Sequence, residues 1–290
     1  MKCGKEHINM AGTLYICATP IGNLEDITLR TLRILKEVDL IAAEDTRNSI
    51  KLLNHFDIKT PMTSYHEYNK YDKARELVAK LTEGVNVALI TDAGTPAISD
   101  PGEELVKQCL MAQVPVTSLP GPSAFVTALT ISGQATRRFC FEAFLPTEKD
   151  DKKERRAILN ELSKETRTII LYEAPHKLVK TLEDLKEALG NRRISLCREL
   201  TKKHEENYCT TIEEALKHYS ENEPRGEYVL VIEGRSRRDI HDEELKELLE
   251  MTIPEHVEYY ISQGMDKKEA MKRTAKDRGV GKREIYQALL

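Results

Sequence analysis

The chain has 290 residues, of which 40% are hydrophobic and 32% charged, a composition typical of a globular protein with about two modest domains. Its formal net charge of −4 gives no overall attraction to nucleic acid, so any such contact must depend on local clusters of Lys and Arg. The six cysteines are scattered without metal-ligand or disulfide spacing, so the sequence predicts no metal site. It has no apolar run of roughly 20 residues and no secretory signal, which predicts a cytoplasmic protein with no membrane contact.

Short apolar strands alternate with helical patterns in the first half of the chain. The predicted strands are residues 14–17, 40–43, 85–90 and 114–119, and the predicted helices are 29–35, 49–56, 74–81, 103–111 and 124–131. Another short apolar strand follows Pro61. This alternation indicates a parallel sheet with helices on its faces, and in such sheets ligands bind beyond the carboxyl ends of the strands.

A second α/β block begins near residue 138, and a helical segment follows it. The predicted strands are 139–145, 168–172, 194–197 and 228–232, with helices at 152–162 and 178–189. Beyond residue 234 the pattern is wholly helical and ends in two helices, 267–278 and 282–290, joined by a glycine turn. We therefore predict α/β domains over 12–136 and 137–235, and a small all-α domain over 236–290 that resembles a helix-turn-helix.

Three loops rich in Gly and Pro follow predicted strands of the first block, at residues 19–26, 91–102 and 120–124. Small residues let a backbone approach a ligand closely, prolines restrict the turn, and carboxylates accept hydrogen bonds from hydroxyls. For 91–102 the alternative is a structural turn in which Asp100 only caps the next helix. No GxxxxGK[ST] or GxGxxG motif is present, which argues against nucleotide hydrolysis and a standard dinucleotide site.

Eight motifs occur in one order along the chain: TPIGNLEDI from Thr19, AEDTR from Ala43, SYHE from Ser64, TDAGTPAISDPG from Thr91, PGPSAF from Pro120, FLP from Phe144, YEAPH from Tyr172 and GEYVLVIEG from Gly226. Together they resemble the ribosomal RNA small subunit methyltransferase I family from about Gly12 onwards, so residues 1–11 form a predicted extension. The resemblance implies two α/β domains of the tetrapyrrole-methylase (class III methyltransferase) type and a homodimer. It also implies that S-adenosylmethionine binds between the domains and methylates a cytidine ribose 2′-hydroxyl in the decoding region of 16S ribosomal RNA.

The resemblance also implies a set of cofactor-binding residues. Glycine-bearing loops would bind the methionine end of S-adenosylmethionine and apolar residues the adenine, while no metal is needed because a sulfonium is already an activated electrophile. Carried over by motif, these residues are Pro20, Asp92, Ala93, Gly94, Thr95, Ile98, Ser99, Pro120, Gly121, Ser123, Ala124, Leu145, Tyr172, Gly226, Glu227 and Tyr228.

A ribose hydroxyl is a poor nucleophile until its proton departs, so we expect a general base near the sulfonium. The candidates are Glu44, Asp45, His66, Glu67, Asp92 and Glu173, and the Glu44–Asp45 pair ranks first because it follows a strand at the expected sheet edge. Arg47 would bind an RNA phosphate or form an ion pair within its own motif. His66 would titrate near neutral pH or be structural, and Glu173 would face the cleft or precede a helix that starts at Pro175.

The last two predicted helices are rich in basic residues. Seven of these would form a phosphate-binding face for small-subunit ribosomal RNA or the 30S subunit: Lys267, Lys268, Lys272, Arg273, Lys276, Lys282 and Arg283. The alternative for them is a solvated helical face. Two other functions remain open for the whole chain, a small-molecule methylase acting on a tetrapyrrole and a non-catalytic helix-turn-helix protein whose α/β part senses a ligand.

Overall fold

The computed structural model describes residues 11–147 and 151–290, so nearly all of the predicted extension lies outside the described residues. The chain forms two compact units. The first runs to Leu162 and resumes over Thr168–Glu233, and the second comprises Ser163–Arg167 and Gly234–Leu290.

The first unit begins with a parallel sheet. Its strands are β1 (Leu14–Cys17), β2 (Leu40–Ala43), β3 (Met62–Ser64), β4 (Val87–Ile90) and β5 (Val116–Leu119), paired in the order β3-β2-β4-β1-β5. Its helices are α1 (Leu29–Glu37), α2 (Thr46–His55), α3 (Lys70–Thr82), α4 (Gly102–Met111) and α5 (Ala124–Ile131). Every residue of β4 is buried, as expected for a central strand with helices on both faces of the sheet.

Some observed bounds differ from those expected from the apolar pattern. α2 begins three residues before the predicted start because the Asp45 side chain accepts a hydrogen bond from the amide of Arg47 and caps the helix. β4 and β5 begin two residues later than predicted, because the apolar pattern extends into the turns that precede them.

The second sheet of this unit is mixed rather than parallel. It contains β6 (Phe139–Phe144), β7 (Thr168–Glu173), β8 (Arg193–Arg198), β9 (Glu206–Thr211) and β10 (Tyr228–Ile232) in the order β6-β7-β10-β8-β9. β6 and β7 are parallel, whereas β10 is antiparallel to β7 and β8, and β9 to β8. Its helices are α6 (Lys152–Lys164), α7 (Pro175–Leu189) and α8 (Ile212–Glu221). α7 starts at Pro175, as in the helix-start alternative.

β9 and α8 were not predicted from the sequence. β9 lies at the edge of its sheet and none of its residues is fully buried, so it lacks the apolar alternation from which strands are recognised. α8 follows it directly, capped by the Thr211 side chain.

The second unit is helical. It contains α9 (Arg237–Glu250), α10 (Ile253–Ser262), α11 (Lys267–Arg278) and α12 (Lys282–Ala288). α11 ends at Gly279, whose left-handed backbone (φ 65°) is the common termination for a helix. These helices have a core of their own, formed by Leu248, Val257, Tyr260, Ala270, Ala275 and Ile285.

Residues 11–147 and 151–290 contain no helix long and apolar enough to cross a membrane. Nor does this part of the chain contain a group of three or more His, Cys, Asp or Glu that could hold a metal ion. Its five cysteines form no disulfide bond, and Cys17, Cys109 and Cys197 are buried. Burial raises the pKa of the Cys109 thiol to about 11.

Candidate active site

A cleft of about 310 Å³ lies where strand ends of the two sheets meet within the first unit. The first sheet contributes the loops after the carboxyl ends of β1, β2, β4 and β5, and the second contributes the ends of β6, β7 and β8 and the start of β10. Twelve of the predicted site residues line this cleft: Glu44, Ala93, Gly94, Thr95, Ile98, Ser99, Ser123, Ala124, Tyr172, Glu173, Glu227 and Tyr228. The lining does not include the predicted residues Pro20, Asp45, Arg47, His66, Asp92, Pro120, Gly121, Leu145 and Gly226.

Hydrogen bonds join the loops after β1, β4 and β5 into one scaffold. Thr19 and Gly94 exchange two backbone hydrogen bonds of 2.9 and 3.0 Å, and the Thr19 hydroxyl donates to the Thr91 carbonyl at 3.0 Å. The Thr95 hydroxyl donates to the carbonyl of Pro122 at 2.9 Å. These contacts fix the three loops relative to one another, which favours a preformed cleft.

Asp100 both orders its own loop and lines the cleft. Its Oδ1 accepts hydrogen bonds from the amides of Ala97 (2.9 Å) and Gly102 (2.7 Å). A Cβ at position 102 would lie 2.7 Å from that oxygen, so only glycine allows the turn to close this tightly. Burial raises the pKa of the Asp100 carboxyl, although the two amides partly oppose the shift.

Two non-glycine residues of this loop have a left-handed backbone, Ala97 (φ 65°) and Ser99 (φ 61°). Such conformations cost on the order of 1–3 kcal/mol each and occur most often at functional sites. Ser99 lines the cleft, so one of these two strained positions lies at the candidate site itself.

Glu44 and Asp45 are adjacent but occupy different surroundings. Glu44 lines the cleft, where its Oε2 accepts a hydrogen bond of 2.6 Å from the Thr91 hydroxyl. Asp45 instead accepts hydrogen bonds from the amide and guanidinium of Arg47, which lower the pKa of its carboxyl to about 2. These bonds favour the ion-pair alternative, although the Arg47 side chain is 89% exposed and open to solvent.

His66 and Asp92 interact with residues beside the cleft rather than with its interior. The amide of His66 donates to Asn69 Oδ1 at 2.8 Å, and its ring Nε2 lies 3.4 Å from Asn69 Nδ2. Asp92 Oδ2 accepts a hydrogen bond of 3.2 Å from Asn48 Nδ2. The roles predicted for both residues therefore stay predictions.

Glu173 is a buried carboxylate on the opposite wall of the cleft. Its Oε1 accepts from the amide of Ala174 (2.8 Å) and its Oε2 from the hydroxyl of Thr181 (2.5 Å). Thr181 also accepts a hydrogen bond of 3.0 Å from Arg155 Nη2, and Arg155 is itself buried. The register of the sheet places Tyr228 of β10 opposite Glu173, so both residues reach the same wall.

Aromatic rings form the apolar part of this wall. Phe125 stacks on Phe141 with ring centroids 4.7 Å apart, and Phe141 contacts Tyr172 at 5.0 Å. An irregularity in β6 between Phe141 and Phe144 precedes the cleft-lining Phe144. Flat aromatic faces suit a purine-like ring.

Eleven lining residues lie outside the predicted set: Ile21, Thr91, Asp100, Phe125, Phe144, Ala174, Cys197, Glu199, Leu200, Lys202 and Val229. Most are neighbours of predicted residues within the same motifs. The exception is the stretch from Cys197 to Lys202, which has no Gly or Pro. Its only signal in the sequence was its place after a predicted strand.

The seven basic residues predicted to bind RNA lie on α11 and α12. Six are exposed, and Arg273 is half-buried. Arg273 Nε lies 3.3 Å from Asp277 Oδ1, and its guanidinium lies 6.0 Å from the centre of the Tyr260 ring. These contacts support a structural contribution from Arg273 within the helical unit.

Residues 13–216 match the family model described as Tetrapyrrole (Corrin/Porphyrin) Methylases. The chain is 50% identical over 275 residues to Ribosomal RNA small subunit methyltransferase I of Halalkalibacterium halodurans, covering 95% of this chain and 93% of that protein. It is 48% identical over 277 residues to the protein of the same name from Bacillus subtilis, covering 96% and 94%.

The fold is similar to that of a uroporphyrin-III C-methyltransferase from Thermus thermophilus, whose structure was solved in complex with S-adenosyl homocysteine. The TM-score is 0.55 at 20% identity, and the match covers 77% of this chain and 97% of that one. The predicted tetrapyrrole-methylase fold with two α/β sheets is thereby confirmed, whereas the helix-turn-helix character of the last helices stays a prediction.

Proposed function

This chain belongs to the ribosomal RNA small subunit methyltransferase I family, and on that premise we propose that it methylates the 2′-hydroxyl of a cytidine ribose in the decoding region of 16S ribosomal RNA. The chain is an S-adenosylmethionine-dependent methyltransferase, and its substrate class is small-subunit ribosomal RNA. Its similarity to proteins of this name leaves less support for the tetrapyrrole methylase and for the non-catalytic sensor.

The observation that carries the proposal is the cleft at which strand ends of both sheets meet. Its chemistry fits the methyl donor, because Phe125 and Tyr172 offer aromatic surface for adenine. Carboxylates on both walls, such as Glu44 and Glu173, favour a positively charged sulfonium and amino group. When bound, the donor supplies an already activated methyl group.

The protein has to orient the acceptor, exclude water and take up a proton. Glu44 is best placed to accept the ribose proton, because it lines the cleft and, among the described residues, only its Oε2 accepts a hydrogen bond, from Thr91. Glu173 is a weaker candidate, because both of its oxygens already accept hydrogen bonds. Asp45 is weaker still, because a pKa of about 2 makes its carboxylate a poor base.

The remaining parts of the proposal come from the sequence pattern and from the resemblance. The division into domains over 12–136, 137–235 and 236–290, the helix-turn-helix role of the last of these in RNA binding, the homodimer and the cytoplasmic location are predictions. The six exposed basic residues of α11 and α12 support the RNA-binding role, because clustered Lys and Arg attract phosphates.

The test is methyl transfer from labelled S-adenosylmethionine to under-methylated 30S subunits, followed by nucleoside analysis. We expect label on the 2′-oxygen of a cytidine. Glu44→Gln should lower the single-turnover rate at saturating donor by about 10²–10⁴-fold, the usual contribution of a general base.

Glu103→Gln is the matched control, because Glu103 is an exposed carboxylate at the start of α4 outside the cleft lining. This variant should keep the wild-type rate. Label on a base rather than a ribose would refute the proposed acceptor, and a wild-type rate in the Glu44 variant would refute the proposed base.

A further inference from the structure

Lys202 differs in charge from the rest of the cleft wall. Among the described residues that line the cleft it is the single Lys or Arg, whereas five carboxylates share the lining: Glu44, Asp100, Glu173, Glu199 and Glu227. A wall with this excess of negative charge favours a cationic ligand and repels an anionic one. Lys202 is the position on the wall where a negatively charged group would be attracted.

The turn after β8 holds Lys202 in place. Lys202 Nζ lies 2.9 Å from Glu199 Oε1 and 4.0 Å from Glu227 Oε2. The same Glu199 oxygen accepts a hydrogen bond of 3.2 Å from the amide of Glu227. Burial alone would raise the pKa of Glu199, but the bonds from Lys202 and the Glu227 amide outweigh it and lower that pKa.

The backbone of this turn is strained, since Glu199 (φ 50°) and Thr201 (φ 64°) both lie in the left-handed region. Gly22, after β1, packs directly against the turn. A Cβ at position 22 would lie 2.4 Å from Lys202 Cγ and 2.9 Å from the carbonyl oxygen of Leu200. The aliphatic part of the Lys202 side chain thus lies against the loop after β1, which limits where its ammonium group can reach.

We propose that Lys202 binds an anionic oxygen of the reaction partners, either a phosphate of the RNA next to the target ribose or the carboxylate of the methyl donor. This inference rests on the proposed function. The interaction between the Lys202 ammonium group and the anionic oxygen would be a charge-assisted hydrogen bond. An ammonium group has three donors, and with the side chain 35% exposed those not directed at Glu199 can reach a ligand in the cleft.

The test compares Lys202→Met, Lys202→Arg and Lys203→Met in the full chain. Lys203 is the matched control, because it is an exposed neighbour outside the cleft lining. For each variant, calorimetry gives the Kd of S-adenosylmethionine, and initial rates of methyl transfer give the KM for under-methylated 30S subunits. The melting temperature reports whether the fold is kept.

Lys202→Met should raise either the Kd of S-adenosylmethionine or the KM for 30S subunits by about tenfold or more, the usual effect of losing a charged hydrogen bond. Lys202→Arg keeps the positive charge and should retain most of the wild-type affinity. Lys203→Met should change neither the Kd nor the KM by more than about twofold. A rise in KM alone identifies the RNA phosphate as the partner, and a rise in the donor Kd identifies the carboxylate.

If Lys202→Met keeps its melting temperature and both constants stay within about twofold of wild type, the proposal is overturned. Should that variant not fold, Lys202→Gln replaces it, and the same limits apply. The failure of the proposed function would look different, because the wild-type protein itself would then place no label on ribose.

Discussion

At the scale of single residues, Arg155 joins parts of the chain that reach the cleft. Its guanidinium donates to Asp184 Oδ2 (2.9 Å), to the carbonyl of Pro146 (2.9 Å) and to the hydroxyl of Thr181 (3.0 Å). Pro146 follows β6, and Thr181 holds the carboxylate of Glu173. One buried cation thus connects α6, α7 and the loop after β6.

Arg155→Met should destabilise the first unit by about 3 kcal/mol, since a buried carboxylate and a carbonyl lose their donor. This value is at the lower end for a broken buried ion pair, because Lys180 remains 3.0 Å from Asp184. Hydrogen exchange of the β7 amides measures the change, since these amides open only when the sheet unfolds.

Arg156→Met is the control, because Arg156 is an exposed neighbour on α6, and it should cost less than about 0.5 kcal/mol. Arg155→Met combined with Asp184→Leu should recover part of the loss, as no unpaired charge is then left buried. Equal effects of the variants at positions 155 and 156 would contradict the importance of this ion pair.

The sequence predicted the loops of the cleft better than the direction of each side chain. The motif resemblance predicted that Asp92 binds the cofactor, yet its Oδ2 accepts a hydrogen bond from Asn48, and its neighbour Thr91 lines the cleft. Further along the same loop, Ala97 and Ser99 have a left-handed backbone. A left-handed backbone at Ala or Ser cannot be predicted from the residue type, because these residues rarely adopt it.

At the scale of elements, the pairing of helices in the second unit depends on a buried histidine. His256 on α10 is fully buried, and its Nδ1 accepts a hydrogen bond of 3.1 Å from Arg278 Nε on α11. Its Nε2 lies 3.6 Å from Asp277 Oδ2, and its ring centroid lies 5.3 Å from that of Tyr260. A ring that accepts at Nδ1 is neutral, because protonation would place a hydrogen between two donors.

Burial lowers the pKa of His256 below its usual 6.5, and Arg278 adds to this effect while Asp277 partly opposes it. The unfolded state therefore binds more protons than the folded state as the pH falls below about 6.5. The stability contributed by the neutral ring is fully present above that pH and is lost as the pH falls through the lowered pKa. The loss is at most about 1.4 kcal/mol per pH unit for one proton.

Hydrogen exchange of α10 and α11 in the full chain, corrected for intrinsic rates, should show faster opening at about pH 5.5 than at about pH 7.5. His256→Gln should flatten this dependence, because an amide oxygen can accept from Arg278 without titrating. His204→Gln, an exposed histidine of the first unit, should leave it unchanged. An undiminished dependence in the His256 variant would assign the effect to other groups.

At the scale of the whole molecule, the net charge of −4 conceals an uneven distribution. Six exposed basic residues lie on α11 and α12, whereas the cleft of the first unit carries five carboxylates and one lysine. The cleft therefore suits a cationic donor, and the basic helices suit a phosphate backbone. If the helical unit provides most of the RNA phosphate contacts, as proposed, donor binding and RNA binding should be separable, because the cleft lies within the first unit.

Deleting residues 236–290 should keep the donor Kd within about twofold, since the cleft belongs to the first unit. Methyl transfer to RNA should fall by about tenfold or more, because several phosphate contacts are lost together.

Charge reversal of Lys267, Lys268, Lys272 and Lys276 to Glu should have the same effect in a full-length chain. It should also lower the slope of log KM against log salt by about one for each lost contact. Reversal of four exposed lysines of the first unit, Lys36, Lys51, Lys59 and Lys107, gives the control for charge alone. Full activity of both the truncated and the charge-reversed protein would remove RNA binding from the helical unit and leave it to the first unit.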